Sequence, residues 1–145
     1  MNIEQIQEMW EKDSVIDENQ LGEHATESPQ LHAKYIRLLT TAKLKRTKLN
    51  SDLNQLKRLK FRYYRGELSR EELTDLGWNQ WQGVKPIKTE MEQLLEGDAE
   101  VNALVVKIEY LDTMLYLLES ILNQIKSRDW QLRTHLDWKK FLAGN

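Results

Sequence analysis

Apolar positions along this chain recur at three- and four-residue intervals, and no stretch keeps up the strict alternation of a strand. That period is the mark of amphipathic helices. It is clearest near the C-terminus. There Val101, Leu104, Ile108, Leu111, Leu115, Leu118, Leu122 and Ile125 are spaced 3-4-3-4-3-4-3, filling both seam positions of four heptads. Met114 and Ile121 widen the stripe on one side and Val105 on the other. A stripe that broad predicts contact with more than one neighbouring helix. The neighbours would be the chain's own helices in a bundle, other subunits in a multimer, or both.

The same period and the helix punctuation place the other elements. Ile3, Ile6, Met9 and Trp10 predict a short helix over 3–12, followed by a turn region to residue 28. Ser28-Pro29 is a start signal for a long helix to about Tyr64, with Leu31, Tyr35, Leu38, Ala42, Leu49, Leu53, Leu56 and Tyr63 near one face. Arg65-Gly66 ends it. Ser69 and Glu72 have capping-box spacing for a short helix that Gly77 closes. Residues 78–85 read as a loop, in which Trp78 and Trp81 are expected as packing anchors. Pro86 opens a further helix that Gly97 closes. Asp98 is the expected cap of the heptad helix, which should reach about Arg128 and continue, or bend, to about Leu142. The expected class is all-α: a helical bundle with a long C-terminal heptad-repeat helix. The expected division is a helical region at 1–97, carrying the long helix at 29–65, and a C-terminal helical region at 98–145.

Composition narrows the chemistry. The chain has no cysteine, which excludes disulfides, thiolate metal sites and thiol catalysis. His24, His32 and His135 form no short metal-ligand pattern. No glycine-rich phosphate loop is present. Neither an enzyme nor a cofactor is expected. No apolar run approaches the ~20 residues that span a bilayer, so an intracellular protein is expected.

Charge changes the picture most. The formal net charge is −2. Yet Lys34–Arg65 holds eleven Lys/Arg against Asp52 alone, a net of +10, while residues 1–33 carry −7 and residues 66–145 carry −5. A merely solvated helix face mixes signs at i,i+4 spacing. This one lacks acids, so its cations repel each other and a polyanion would relieve them. The densest run, Leu56-Lys57-Arg58-Leu59-Lys60-Phe61-Arg62-Tyr63-Tyr64-Arg65, interleaves cations with rings that could stack on unpaired bases. Candidate DNA contacts are Lys43, Lys45, Arg46, Lys48, Lys57, Arg58, Lys60, Arg62, Tyr64 and Arg65. Of the rings, Tyr63 or Phe61 is expected to belong to the core.

Three segments, in order, resemble one family. They are Ile6-Gln7-Glu8 through Asp17, the basic run ending in Tyr63-Tyr64, and Ile125-Lys126-Ser127-Arg128 with Phe141 and Ala143-Gly144. Together they are similar to the UvsY recombination mediators of T4-like bacteriophages, and the resemblance covers essentially the whole chain. It implies single-stranded DNA binding by ring-like homo-oligomers, hexamers or heptamers. It also implies contacts with the phage recombinase and the phage single-strand-binding protein, displacement of the latter and loading of the former, in the cytoplasm of an infected bacterium. The family's DNA-contacting Lys and Arg fall on Arg58 and Lys60. The family's acid before the tyrosines is Arg62 here, a departure that makes this strip more basic. On this reading the seam residues Leu104, Ile108, Leu111, Leu115, Leu118, Leu122 and Ile125 would mediate oligomerisation. The alternative is a coiled-coil scaffold whose basic helix binds an acidic protein partner.

Overall fold

Short polar side chains set where several helices begin. The Asn2 side chain accepts from the Gln5 N–H at 2.8 Å and opens α1 (Ile3–Asp13). Asp17 caps a single 3₁₀ turn (Glu18–Gln20), which leads into α2 (Leu21–Tyr64). Ser69 caps α3 (Arg70–Leu76), and Gly77 closes it at φ 70°, a left-handed conformation that glycine adopts without strain. After an irregular stretch come α4 (Lys88–Glu96), α5 (Ala99–Lys126) and α6 (Arg128–Leu142). The structure, a computed structural model, describes residues 1–144, and among these there is no strand. The class is all-α.

The long basic helix starts eight residues earlier than Ser28-Pro29 signals, because Pro29 lies inside α2. An interior proline removes one helical hydrogen bond. The turn before it is held by other means. His24 Nε2 accepts from the Asp17 N–H at 2.9 Å, its Nδ1 faces Glu27 at 3.1 Å, and the Ser28 hydroxyl donates to the His24 carbonyl at 3.3 Å.

The chain forms two compact units, which do not follow the 1–97 and 98–145 division expected from the sequence. One comprises Met1–Leu44 and the chain from Leu111 onward; the other is Lys45–Tyr110. Helices α2 and α5 each supply residues to both.

In the first unit the buried side chains include Ile6, Tyr35, Leu39, Ala42, Leu111, Met114, Leu118, Ile121, Leu122, Ile125 and Leu132. Trp10 meets Tyr35 edge-on with centroids 5.5 Å apart, and the Tyr35 hydroxyl donates to Asp13 at 2.8 Å. In the second unit Leu53, Val101 and Ile108 form a buried cluster, with Leu49, Leu56, Leu104 and Val105 packed against it.

The heptad seam is therefore spent largely within the chain. Ile108, Leu111, Leu118, Leu122 and Ile125 are buried in the single subunit, and Leu104 and Leu115 are half-buried. The flanking Met114 and Ile121 are buried too, as a wide stripe with several neighbours requires. Other large apolar side chains are left outside, among them Leu44 on α2, Tyr116 on α5 and four on α6. Trp130, Trp138, Phe141 and Leu142 on α6 are all more than half exposed, and the Trp138 and Phe141 rings stack at 5.5 Å.

Candidate nucleic-acid interface

The C-terminal part of α2 carries the basic run, and the second unit holds that segment through its Lys60. The Lys60 ammonium lies 3.1 Å from Asp98 Oδ2 and 3.6 Å from Glu100 Oε1. It also sits 4.0 Å from the centroid of the Trp78 ring. The Tyr64 hydroxyl donates to the same Asp98 oxygen at 2.7 Å. The other Asp98 oxygen accepts from the Glu100 and Val101 N–H groups, both at 3.0 Å, and so caps α5. One carboxylate thus serves two helices. Burial alone would raise the Asp98 pKa, but the hydrogen bonds from Val101, Tyr64 and Lys60 outweigh it and hold the carboxyl below its ordinary range. Burial and the neighbouring Asp98 push the Tyr64 hydroxyl well above the usual tyrosine range.

Around this junction Tyr63, Tyr64, Trp78 and Trp81 form a ring cluster with centroids 4.9 to 6.5 Å apart. Trp78 Nε1 donates to Glu100 at 3.0 Å and the Tyr63 hydroxyl to the Asn79 carbonyl at 2.5 Å. Both tryptophans are packing anchors, as expected. Gly83 passes so close to Trp81 that a Cβ there would lie 2.3 Å from the ring. Only glycine lets the loop close over the indole.

These placements revise two of the expected DNA contacts. Lys60 is 6% exposed and Tyr64 is 8% exposed, and both are satisfied inside the unit. They shape the surface and do not form it. The ring expectation also changes: Tyr64 enters the core, Tyr63 is half-buried, and Phe61 stays 41% exposed.

Lys45, Lys48, Lys57, Arg58 and Arg65 are exposed, and Arg46 and Arg62 are half-buried. Helical geometry places Arg58, Arg62 and Arg65 within a sector of about 60°, with Lys45 turned about 140° away from Arg58. The +10 segment is therefore several faces, and the Arg58 face is the concentrated one. Arg62 bonds Glu72 at 3.2 Å and holds that carboxyl below its ordinary range; Arg65 meets Glu67 at 3.1 Å, and Lys48 meets Asp52 at 3.1 Å. Surface pairs of this kind contribute little and exchange readily for another anion. Arg65 also lies 5.4 Å from the Phe61 ring. Lys43 is exposed and falls just outside this unit. The second role of Asp98, as partner to Lys60, was not visible in the sequence. An acid 38 residues from the lysine and already explained as a helix cap gives no further signal.

The chain as a whole has counterparts among known proteins. Residues 9–145 match the family model described as "Recombination, repair and ssDNA binding protein UvsY". The chain belongs to the UvsY family. Recombination protein uvsY of Enterobacteria phage T4 is 24% identical over 144 residues, covering 99% of both chains. Two crystal structures of the bacteriophage T4 recombination mediator protein UvsY share the fold. The lattice type II structure has a TM-score of 0.85 at 23% identity, covering 99% of this chain and 98% of that one. The type IV structure has a TM-score of 0.81 at 22% identity, covering 97% and 98%. The family is one of recombination, repair and single-stranded DNA binding. Among the described residues no cluster of acids and histidines could hold a metal ion, and no helix is long and apolar enough to cross a membrane.

Proposed function

We propose that this protein is a recombination mediator. It binds single-stranded DNA as a homo-oligomer of six or seven subunits, helps displace a single-strand-binding protein, and loads a recombinase onto the freed strand. The observation that carries this reading is the face bearing Arg58, Arg62 and Arg65 with the exposed Phe61, on a helix held by the Lys60–Asp98 pair. Phosphates would meet Arg58 first, with Arg62, Arg65, Lys57, Lys48 and Lys45 adding charge around it. A single face of this kind is a weak site. Joining several in one assembly multiplies avidity without new contacts.

Most of the heptad seam is buried within the subunit, which favours a different surface for joining the subunits. We assign that role to the apolar face of α6, with Trp130, Trp138, Phe141 and Leu142. Exposed apolar patches of this kind mark association sites. The double variant Trp138→Ser with Phe141→Ser is expected to stay helical and to sediment as a smaller species that binds DNA far more weakly. An unchanged sedimentation coefficient would remove α6 from the interface.

The DNA face is tested by Lys57→Ala with Arg58→Ala. Affinity for a single-stranded oligonucleotide is expected to fall about tenfold or more, and the slope of log affinity against log salt to shrink by about 0.7 per lost phosphate contact. Recombinase loading should fall with it. If affinity, slope and loading all persist while the oligomer stays intact, the proposal fails. The scaffold alternative, with an acidic protein on the basic helix, predicts no tight binding of single strands by the unaltered protein.

A further inference from the structure

Between the cationic ends of the exposed α2 face lies a largely uncharged segment. Thr47, Asn50, Ser51, Asn54, Gln55 and Arg58 line an open depression of about 410 Å³. Helical periodicity gathers all six on one side of α2, over about 16 Å of its length. Phe61 and Arg65 fall in the same sector, one and two turns further on.

Three features of this segment, taken together on one helix face, bear on what it can bind. Asn50, Ser51 and Asn54 all weaken a helix relative to alanine, yet they stand in the middle of one. The side chains of Asn50, Ser51, Asn54 and Gln55 make no hydrogen bond to any other described residue and are exposed. Elsewhere the helical hydroxyls of Thr26, Ser28, Thr40, Thr74, Ser127 and Thr134 turn back onto a carbonyl three or four residues earlier. The Ser51 hydroxyl, like those of Thr41 and Ser120, makes no such bond, and it is exposed.

The chemistry of these groups selects their ligand. A phosphate only accepts hydrogen bonds, so lysine and arginine, which only donate, suit it. A carboxamide both donates and accepts, and so does the edge of a nucleobase. The geometry points to a base-contacting site on α2. Asn50, Ser51, Asn54 and Gln55 hydrogen-bond the edges of unpaired bases, Phe61 stacks on one of them, and Arg58 and Arg65 take the adjoining phosphates. Unpaired bases are the fit because stacking on Phe61 needs a free base face. This inference rests on the single-strand-binding reading above and adds to it a contribution that salt does not screen.

The test compares three probes of equal length: a mixed-sequence single strand, an abasic strand of the same charge, and a duplex. Each is titrated with the intact oligomer at two salt concentrations. The unaltered protein is expected to bind the mixed strand about tenfold more tightly than the abasic one, the effect of one or two good base contacts. Asn50→Ala with Asn54→Ala should cut that preference to about twofold or less while leaving the salt slope unchanged. Alanine favours helix, so the variant retains α2. Equal affinity of the unaltered protein for the mixed and abasic strands, full preference in the variant, or equal affinity for the duplex would each overturn the site. An unaltered protein that showed no salt-dependent binding to any probe would overturn the single-strand-binding reading itself.

Discussion

Lys60→Ala is expected to lower the thermal midpoint by roughly 10 °C without changing the salt slope of DNA binding. The side chains of Lys60 and Asp98 are 8% and 5% exposed. Removing the lysine leaves a buried carboxylate short of its cation, and breaking a buried pair in this way costs about 3 kcal/mol or somewhat more. The same loss releases the Trp78 ring and loosens the end of α2 that presents Arg58. The salt slope separates a positioning residue from a phosphate contact. A phosphate ligand would leave the midpoint near its original value and reduce the slope by about 0.7. Calorimetry and a two-salt titration measure both. A stable Lys60→Ala protein with a reduced slope would return Lys60 to the DNA surface.

The pH dependence follows from the same pair. The folded-state pKa of Asp98 is depressed, so its contribution is present above the ordinary carboxylate range and lost as pH falls through the lowered value. Asp98→Asn should therefore lower the thermal midpoint near neutral pH and flatten its fall with acid, read by calorimetry across the acid range.

Leu118→Glu is expected to abolish the cooperative thermal transition. Leu118 is 0% exposed, at the centre of the first unit's core. A carboxylate placed there has no partner among the apolar side chains around it. Losing the leucine costs about 3–5 kcal/mol, and burying a charge or a protonated acid adds to that. The sum approaches the whole of the ~5–15 kcal/mol that holds a domain together. Circular dichroism should show a broad, weakly helical melt. A folded, helical monomer would instead move the heptad seam back to a subunit interface and undo the assignment of assembly to α6.

Most of the helices were legible because their signals are local. Ser69, Gly77, Gly97 and Asp98 end or begin helices through backbone groups a few residues away, and each does so where its spacing indicated. The start of α2 was misplaced for a related reason. Proline after serine is a start signal only if nothing upstream sustains the helix, and His24 does so through Asp17, Glu27 and Ser28.

By itself the sequence determined the class, the approximate helix limits, the breadth of the heptad stripe and the concentration of positive charge in α2. These follow from composition and from periods of three and four residues. Only the tertiary structure decided which apolar stripe is spent inside the subunit and which cations reach solvent. The heptad positions of Leu111 and Leu118 suit an intermolecular seam and an intramolecular core equally well, because burial against either satisfies the same side chains. Lys60 and Arg58 are equivalent in a charge count. A buried carboxylate 38 residues from Lys60 makes one of them a strut and leaves the other a surface charge.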